Sequence, residues 1–382
     1  MSGIYIHIPF CKQACSYCDF HFSTKMTSKD QMIEALCMEL KMRKDSFAQD
    51  QINSIYFGGG TPSVLSPIEI ERLIEAVFSH YSITAVAEIT LEANPDDLSE
   101  AYIKALSKTK VNRISVGIQS FHQSDLSFMN RAHNASQSKE ALHWVKQYFD
   151  NYSIDLIYGV PMLGMSPEEQ DLLWAENVKM ALGFNPNHIS AYALTMEPKT
   201  VLEHQIKSGK LPPLDESRAQ AQFTTLRRLL TNAAYEHYEF SNFSRQGFHA
   251  VNNSGYWEGK SYMGIGPSAH SYDGKSRSWN AASNPIYIRA IFEGKRPFDI
   301  EYLSVSERYN EYIMTGLRAS KGVELSKINA LFGPEYESYA IREAQEKIAE
   351  GLLEIVNDTV LKITDSGLFF SDGIAAQLFY ID

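Results

Sequence analysis

The sequence predicts an α/β fold, a partial (βα)6 barrel followed by a C-terminal α+β region that ends in a winged-helix-like module. Three observations carry this. Short apolar runs alternate six times with helix-length segments over the first half of the chain, and near-continuous apolar strands belong to a parallel sheet covered by helices. Six strands fall short of the eight that close a full barrel, so the barrel is expected to stay open. From Ser304 onward the pattern is helical and then forms a single hairpin.

The elements follow in order. The first strand, residues 4–8, runs directly into Cys11-Lys-Gln-Ala-Cys15-Ser-Tyr-Cys18. A helix is expected over residues 29–47; it contains Cys37, which reads as a small buried hydrophobe. Residues 54–57 form the second strand and open into Gly58-Gly-Gly-Thr-Pro62, and Ser66-Pro67 is an N-cap and first-turn pair for a helix to Tyr81. Strand three is 88–93, closed by Asn94-Pro95 and followed by a helix over 99–107. Strand four is 113–119. A helix over 136–149 leads to strand five, 153–158. Ser166-Pro-Glu-Glu169 caps a helix to Leu182 before strand six, 188–194. A polar linker, 207–214, precedes a helix over 215–234 and a strand over 237–240. Residues 241–280, dense in Gly, Ser, Asn and aromatics, read as loop-rich. Helices are expected over 306–319, 325–331 and 336–350, then a hairpin over 352–364 turning at Asn357-Asp358, and a last short helix over 374–379. The domain division is therefore 1–206 for the barrel, 207–300 for an extension and 301–382 for the winged-helix-like module.

Composition narrows the function classes. Of 382 residues, 44% are hydrophobic and 21% charged, ordinary for a globular protein. A net charge of −11 speaks against nucleic acid as a partner and serves solubility. No run approaches the ~18 apolar residues of a membrane span. The first strand leads straight to the cysteines with no signal-peptide pattern. Three of the four cysteines crowd one loop, which fits a metal site in a reducing compartment better than a disulfide framework, so a cytoplasmic protein is expected.

In parallel sheets the chemistry gathers at the C-terminal ends of the strands. The cysteine loop, the glycine turn, Glu92, Gln119 and Asp155 all lie at or near those ends. Three thiolates on one short loop can hold three irons of an iron–sulfur cube and leave the fourth open, the mark of a catalytic metal. The same spacing also admits a structural zinc with His7 or His21 as fourth ligand. The glycines of the turn allow close backbone approach and could present N–H groups to a carboxylate or phosphate. Glu92 could pair with an ammonium group, Gln119 could bond ribose hydroxyls, and Arg131 could hold a carboxylate bidentately. Asp155 interrupts an otherwise apolar strand, where a carboxylate is costly without a partner.

CxxxCxxC after the first strand and a GGxTP-like turn after the second resemble the radical S-adenosylmethionine superfamily. The stretches GIYIHIPFC, YCDF, YFGGGTP, LEANP, ISVGIQSF, DLIYGVP, SAYALT and GIGPSAHS are similar to the branch of oxygen-independent coproporphyrinogen oxidases and their relatives, over about the first 270 residues. The resemblance implies a [4Fe–4S] cluster on Cys11, Cys15 and Cys18. It implies S-adenosylmethionine held by Tyr5, Gly59, Gly60, Thr61, Glu92, Gln119, Arg131, Asp155 and Ala193, with Tyr17 packed near the cluster. The chemistry that goes with it is reductive cleavage of that cofactor to a 5′-deoxyadenosyl radical, fed by an electron donor. The branch divides in two. True dehydrogenases, which decarboxylate coproporphyrinogen III, carry a further cysteine where this chain has Phe20, and a longer arm before the first cysteine. Both features, with His237–Phe243 and Tyr256-Trp257, look instead like the HemW family of heme chaperones, which implies heme as cargo and apo-proteins as its acceptors. It leaves open a homodimer, transient membrane contact, porphyrinogen as an alternative ligand, and a radical reaction on some other substrate. One departure stands out. Where that family has a histidine implicated in heme binding, this chain has Asn252, and His249 is the nearest replacement.

Overall fold

Six parallel strands form the centre of the molecule, seen in a computed structural model that describes residues 2–47, 51–162 and 164–381. They are β1 (Ser2–Ile8), β2 (Ile52–Gly59), β3 (Ile83–Ala93), β4 (Arg113–Gln119), β5 (Tyr152–Tyr158) and β6 (His188–Ala193), paired side by side in that order. The intervening helices are α1 (Lys29–Met42), α2 (Pro67–His80), α3 (Glu100–Leu106), α4 (Gln123–Phe128), α5 (Ala135–Tyr148) and α6 (Pro167–Phe184). Ser66 and Ser166 cap α2 and α6 in full capping boxes with Glu69 and Glu169, as their sequence pattern predicts. The helix expected over 29–47 instead leaves α geometry after Met42 and continues as a 3₁₀ turn from Lys44 to Phe47.

The strands are less uniformly apolar than the sequence reading took them to be. Ile4, Ile6 and Ile8 of β1 are buried towards the helices, whereas Tyr5 of the same strand lines the inside of the barrel. The same period of two puts Tyr56, Glu92, Arg113, Ser115, Asp155, His188 and Ser190 on the inner surface. Register aligns them in rows: Tyr5 beside Tyr56, Glu92 beside Ser115, Asp155 beside Ser190. The barrel therefore has an apolar outer face under helices and a polar lumen.

The sheet continues past both ends of this core. After α7 (Val201–Lys207) and α8 (Glu216–Asn232), β7 (Glu236–Glu239) and β8 (Asn242–Ser244) add antiparallel strands beside β6. After α9 (Val251–Trp257), β9 (Tyr262–Ile265) pairs in parallel with β1. It is followed by antiparallel β10 (His270–Tyr272) and β11 (Ser276–Asn280), then α10 (Asn284–Phe292) and β12 (Phe298–Tyr302). The loop-rich expectation for 241–280 is thus corrected. That stretch contributes four strands and a helix to a 12-stranded sheet, whose edge strands β12 and β7 do not meet. No closed barrel forms among the described residues.

A buried carboxylate fastens the added strands. Glu39 of α1 is fully buried, yet it accepts from the Gly266 amide (2.8 Å), Asn280 Nδ2 (2.9 Å) and the Tyr287 hydroxyl (2.6 Å), with Arg43 Nη1 at 3.1 Å. The end of the chain forms α11 (Val305–Arg318), β13 (Val323–Glu324), α12 (Leu325–Phe332), α13 (Pro334–Ala349), β14 (Leu353–Val356), β15 (Val360–Ile363) and α14 (Ser371–Gln377). Its small sheet has the order β13-β15-β14 and covers a separate apolar core around Tyr309, Ile313 and Leu361. Asn357 and Asp358 hold φ of 51° and 58° in the three-residue turn between Val356 and Val360, a left-handed conformation that Asn and Asp tolerate.

Candidate functional site

The polar lumen opens into a cavity of about 700 Å³, whose wall includes all three clustered cysteines. Their loop leaves β1 and is held from several sides. Gln13 Nε2 donates to the Asn130 carbonyl at 2.9 Å, and Asn130 Nδ2 returns a bond to the Ala14 carbonyl at 2.7 Å. The Ser16 amide donates to the Met129 carbonyl at 3.1 Å, the Leu202 amide donates to the Ser16 carbonyl at 2.8 Å, and Lys12 pairs with Asp96 at 3.0 Å. Loops after β3, β4 and β6 thus share the work of shaping eight residues, which lowers the entropy still to be lost when a ligand is bound.

Two amides of the glycine turn serve the cysteine loop. The Gly60 amide donates to the Ile8 carbonyl (2.9 Å) and the Thr61 amide to the Phe10 carbonyl (2.7 Å), so both N–H groups serve the cysteine loop and are not free for an anion. A Cβ on Gly60 would sit 2.6 Å from the Phe10 carbonyl oxygen, and one on Gly59 (φ 109°) would run into the His7 ring. The Thr61 hydroxyl lies 3.2 Å from Cys11 Sγ, and Arg131 Nη1 lies 3.4 Å from Cys15 Sγ. Arg131 is fixed from behind by Asn94 Oδ1 (2.6 Å) and the Gly117 carbonyl (3.0 Å).

Lower in the lumen, Glu92 accepts from the Tyr56 hydroxyl at 2.6 Å, and burial pushes its carboxyl up to about 7. Asp155 accepts from the Ser115 hydroxyl at 3.2 Å; burial raises it too, partly offset by its hydroxyl donors and the nearby Arg113 charge. Gln119 ends β4 with φ 64°, a left-handed conformation that turns the chain at the cavity edge. Tyr5, Tyr17, Gly59, Gly60, Thr61, Glu92, Gln119, Arg131, Asp155 and Ala193 all lie on the wall of this one cavity, with Cys11, Cys15 and Cys18.

The donor set suits an iron–sulfur cluster better than zinc. Among the described residues, no three His, Cys, Asp or Glu side chains stand close enough together to grip an ion as they are. The three thiols are nonetheless free and face one cavity, with a guanidinium and a hydroxyl directed at two of the sulfurs. Both histidines weighed as a zinc ligand are committed elsewhere. His7 Nε2 donates to the His21 carbonyl (2.8 Å) while Nδ1 accepts from the Tyr5 hydroxyl (3.2 Å), and His21 Nε2 donates to Asn284 Oδ1 (2.8 Å). Three thiolates and no imidazole match the soft-ligand, open-corner chemistry of a cluster.

The replacement considered for Asn252 does not reach the cavity. His249 Nε2 faces Glu236 Oε2 at 2.9 Å on the surface, with its ring stacked on Tyr238. Asn252 itself lines the cavity, 7% exposed, with the Ser54 hydroxyl 3.3 Å from its Oδ1. The sequence reading passed over Tyr56, Arg113, His188, Asn242 and Asn253, which line it as well. The alternation of polar residues along β4 and β6 was the available signal for Arg113 and His188.

Comparison with known proteins places this geometry. The radical SAM superfamily profile matches residues 5–175, and that of the HemN C-terminal domain matches residues 303–370. The heme chaperone HemW of Lactococcus lactis is 34% identical over 98% of this chain and 96% of its own length. The chain belongs to the HemW family. The family's HemW of Bacillus subtilis is 30% identical over 92% of this chain and 93% of its own. A mouse relative named radical S-adenosyl methionine domain-containing protein 1, mitochondrial, is 29% identical over 99% of this chain and 87% of its own. Among solved structures, the coproporphyrinogen III oxidase HemN of Escherichia coli superposes with a TM-score of 0.83 at 22% identity, covering 99% of this chain and 89% of that one, and it shares the fold.

Proposed function

We propose that this protein is a heme chaperone that carries a [4Fe–4S] cluster on Cys11, Cys15 and Cys18, binds S-adenosylmethionine in the cavity beside it, and passes heme to acceptor apo-proteins. The observation that carries the reading is the similarity to HemW over nearly the whole of both chains. Phe20 supports it: two residues past Cys18, where a dehydrogenase has a further cysteine, this side chain is 68% exposed. When bound, the cluster and its cofactor supply one-electron chemistry, and an external donor supplies the electron. The chain's own groups orient and shield. Arg131 and Thr61 donate towards the sulfurs, Tyr17 covers one side of the loop, and Glu92 and Asp155 offer carboxylates to ammonium or ribose groups. Gln119, Ala193, Tyr5 and the Gly59-Gly60 backbone shape the remaining wall.

The test is reconstitution without oxygen. Heme is titrated into the protein, and coproporphyrinogen III is separately supplied with S-adenosylmethionine and a reductant. A Soret shift without protoporphyrinogen formation is expected. Formation of protoporphyrinogen would sink the chaperone reading in favour of the dehydrogenase, and neither signal would leave a radical reaction on another substrate. Cys15→Ala should lose most of its iron and the broad visible absorbance; full retention of both would show that the cluster is held elsewhere.

A further inference from the structure

The cavity has a second polar end. The cysteine loop leaves the C-terminal end of β1, whereas Arg113 and His188 are the first residues of β4 and β6. In a parallel sheet these lie at opposite ends of strands about 20 Å long. Both side chains belong to the cavity wall, and both are almost wholly buried, 2% and 1% exposed.

The protonation of His188 follows from its neighbours. The Trp257 indole N–H can only donate, and it donates to Asn253 Oδ1 at 3.2 Å. That orients the amide so that Asn253 Nδ2 donates to the Tyr238 hydroxyl at 3.1 Å. The hydroxyl proton then has one acceptor among its partners, His188 Nε2 at 2.8 Å. Burial and the Arg113 charge keep the imidazole neutral, so its single proton sits on Nδ1. Nδ1 is buried and has no hydrogen-bond partner in the protein.

Arg113 is in the same position. Its Nε is buried without a hydrogen-bond partner; Glu88 Oε2 balances the charge from 3.8 Å, beyond hydrogen-bond reach, and Nη1 has only a 3.5 Å contact with Thr90 Oγ1. Glu88 spends its other oxygen on the Val251 and Asn252 amides at 3.0 and 3.3 Å, and it is not part of the cavity wall. Both side chains thus stand in one cavity wall, each with a buried nitrogen that has no acceptor; protein covers those nitrogens, so a ligand oxygen reaches them only as the side chains turn towards it. An unmade bond on a buried donor is costly, and a ligand oxygen is what would satisfy both.

We propose that this end of the cavity is a carboxylate subsite, in which the Arg113 guanidinium and the Nδ1–H of His188 receive a propionate of the bound tetrapyrrole. The inference rests on the heme-handling reading above and adds an orientation to it: one propionate edge enters first, towards the start of β4 and β6, and the rest of the macrocycle faces the cysteines. Asn253, Tyr238 and Trp257 act as positioning residues, since they set the His188 tautomer without touching the ligand.

The experiment uses metal-free protoporphyrin IX and its dimethyl ester, which differ only in the carboxylates and take iron ligation out of the measurement. Fluorescence titration of the cluster-loaded protein is expected to show the diacid binding at least tenfold more tightly than the diester. His188→Phe and Arg113→Lys should each erase most of that preference. Should either variant fold poorly, ¹⁵N-histidine NMR of the unaltered protein decides. Nδ1 of His188 should carry the proton and move on adding the diacid but not the diester. Equal affinity for the two forms, or an Nδ1 signal indifferent to the diacid, overturns the subsite while the tetrapyrrole reading stands. If neither form binds and heme gives no Soret shift, the heme-handling reading fails. Sodium acetate then probes the donors alone: an acetate-dependent rise in melting temperature that His188→Phe abolishes keeps the carboxylate site, and its absence removes the site too.

Discussion

At the scale of single residues, burial in the lumen makes acids harder to ionise. Glu92 has its carboxyl moved from the ordinary 4.5 to about 7 by burial, and the Tyr56 hydroxyl recovers only part of that cost. The raised value sets the sign of its linkage to stability. The folded chain binds the proton more tightly than the unfolded one, so the group favours folding below about pH 4.5, and that support is lost as pH rises through about 7. Glu92→Gln should therefore leave the ligand-free protein more stable than wild type at pH 8, by up to about 3 kcal/mol, with the difference vanishing near pH 4. Denaturant melts across that range check it, and a constant difference at all pH values would refute it. Asn252 is a second residue-scale case. It stands on the cavity wall, and an amide is a poor iron ligand. Asn252→His should tighten heme binding roughly tenfold or more, about 1.4 kcal/mol, read by Soret titration against metal-free protoporphyrin as the control that should not change.

At the scale of elements, the cysteine loop depends on the turn after β2. With Gly60 pressed against the Phe10 and Ile8 carbonyls, Gly60→Ala should cost about 2–3 kcal/mol and also lower iron content, because the clash is with the backbone of the loop itself. Gly183 of α6 has no atom within 4 Å of where a Cβ would sit, and Gly183→Ala should instead stabilise by about 0.5–1 kcal/mol with iron unchanged. Melting and iron analysis of the pair separate a local clash from a general intolerance of alanine. The turn also illustrates what the sequence made legible. Its glycines, the cysteine spacing and the six βα units could be read from pattern, because each is local: a capping box, a run of isoleucines, a spacing of thiols. That the Gly60 and Thr61 amides serve the loop could not be read, because it depends on two segments some fifty residues apart meeting in parallel register, as Ile8 meets Gly59. Strands β8 to β11 escaped for another reason. They are three to five residues long, and several of their buried positions are Ser and Asn, so no apolar alternation marks them. Arg113 and His188 were hidden because a polar residue opening a strand reads as a boundary until the lumen is known to be polar.

At the scale of the whole molecule, the C-terminal module braces the cavity. The Phe240 amide donates to the Arg318 carbonyl at 3.0 Å and the Ser320 amide to the Tyr238 carbonyl at 2.9 Å, so the end of α11 continues the backbone pairing around β7. The Arg318 guanidinium lies over the Phe240 and Trp257 rings, 5.2 and 5.3 Å from their centroids, and pairs with Asp372 of α14. Lys321 reaches Glu258 at the end of α9. Trp257 and Asn253 are on α9, and Asn253 and Tyr256 line the cavity, so one arginine links the core of the module to the helix that forms part of the site wall. Cation–π contacts of this kind contribute about 0.5–2 kcal/mol according to their exposure. Arg318→Ala should therefore lower stability by about 1–2 kcal/mol, and its effect should not stop at the module. Amide exchange is expected to quicken in α9 as well as in α11, because losing the guanidinium frees the face of Trp257 and with it the indole that orients Asn253. Quickened exchange confined to residues 305–318 would show that the module packs beside the cavity without steadying it. With cluster and porphyrin bound, the same exchange measurement should show α9 slowed in wild type and less so in Arg318→Ala. That pattern would make the module the part of the fold through which a docking acceptor protein could loosen the inner wall of the site.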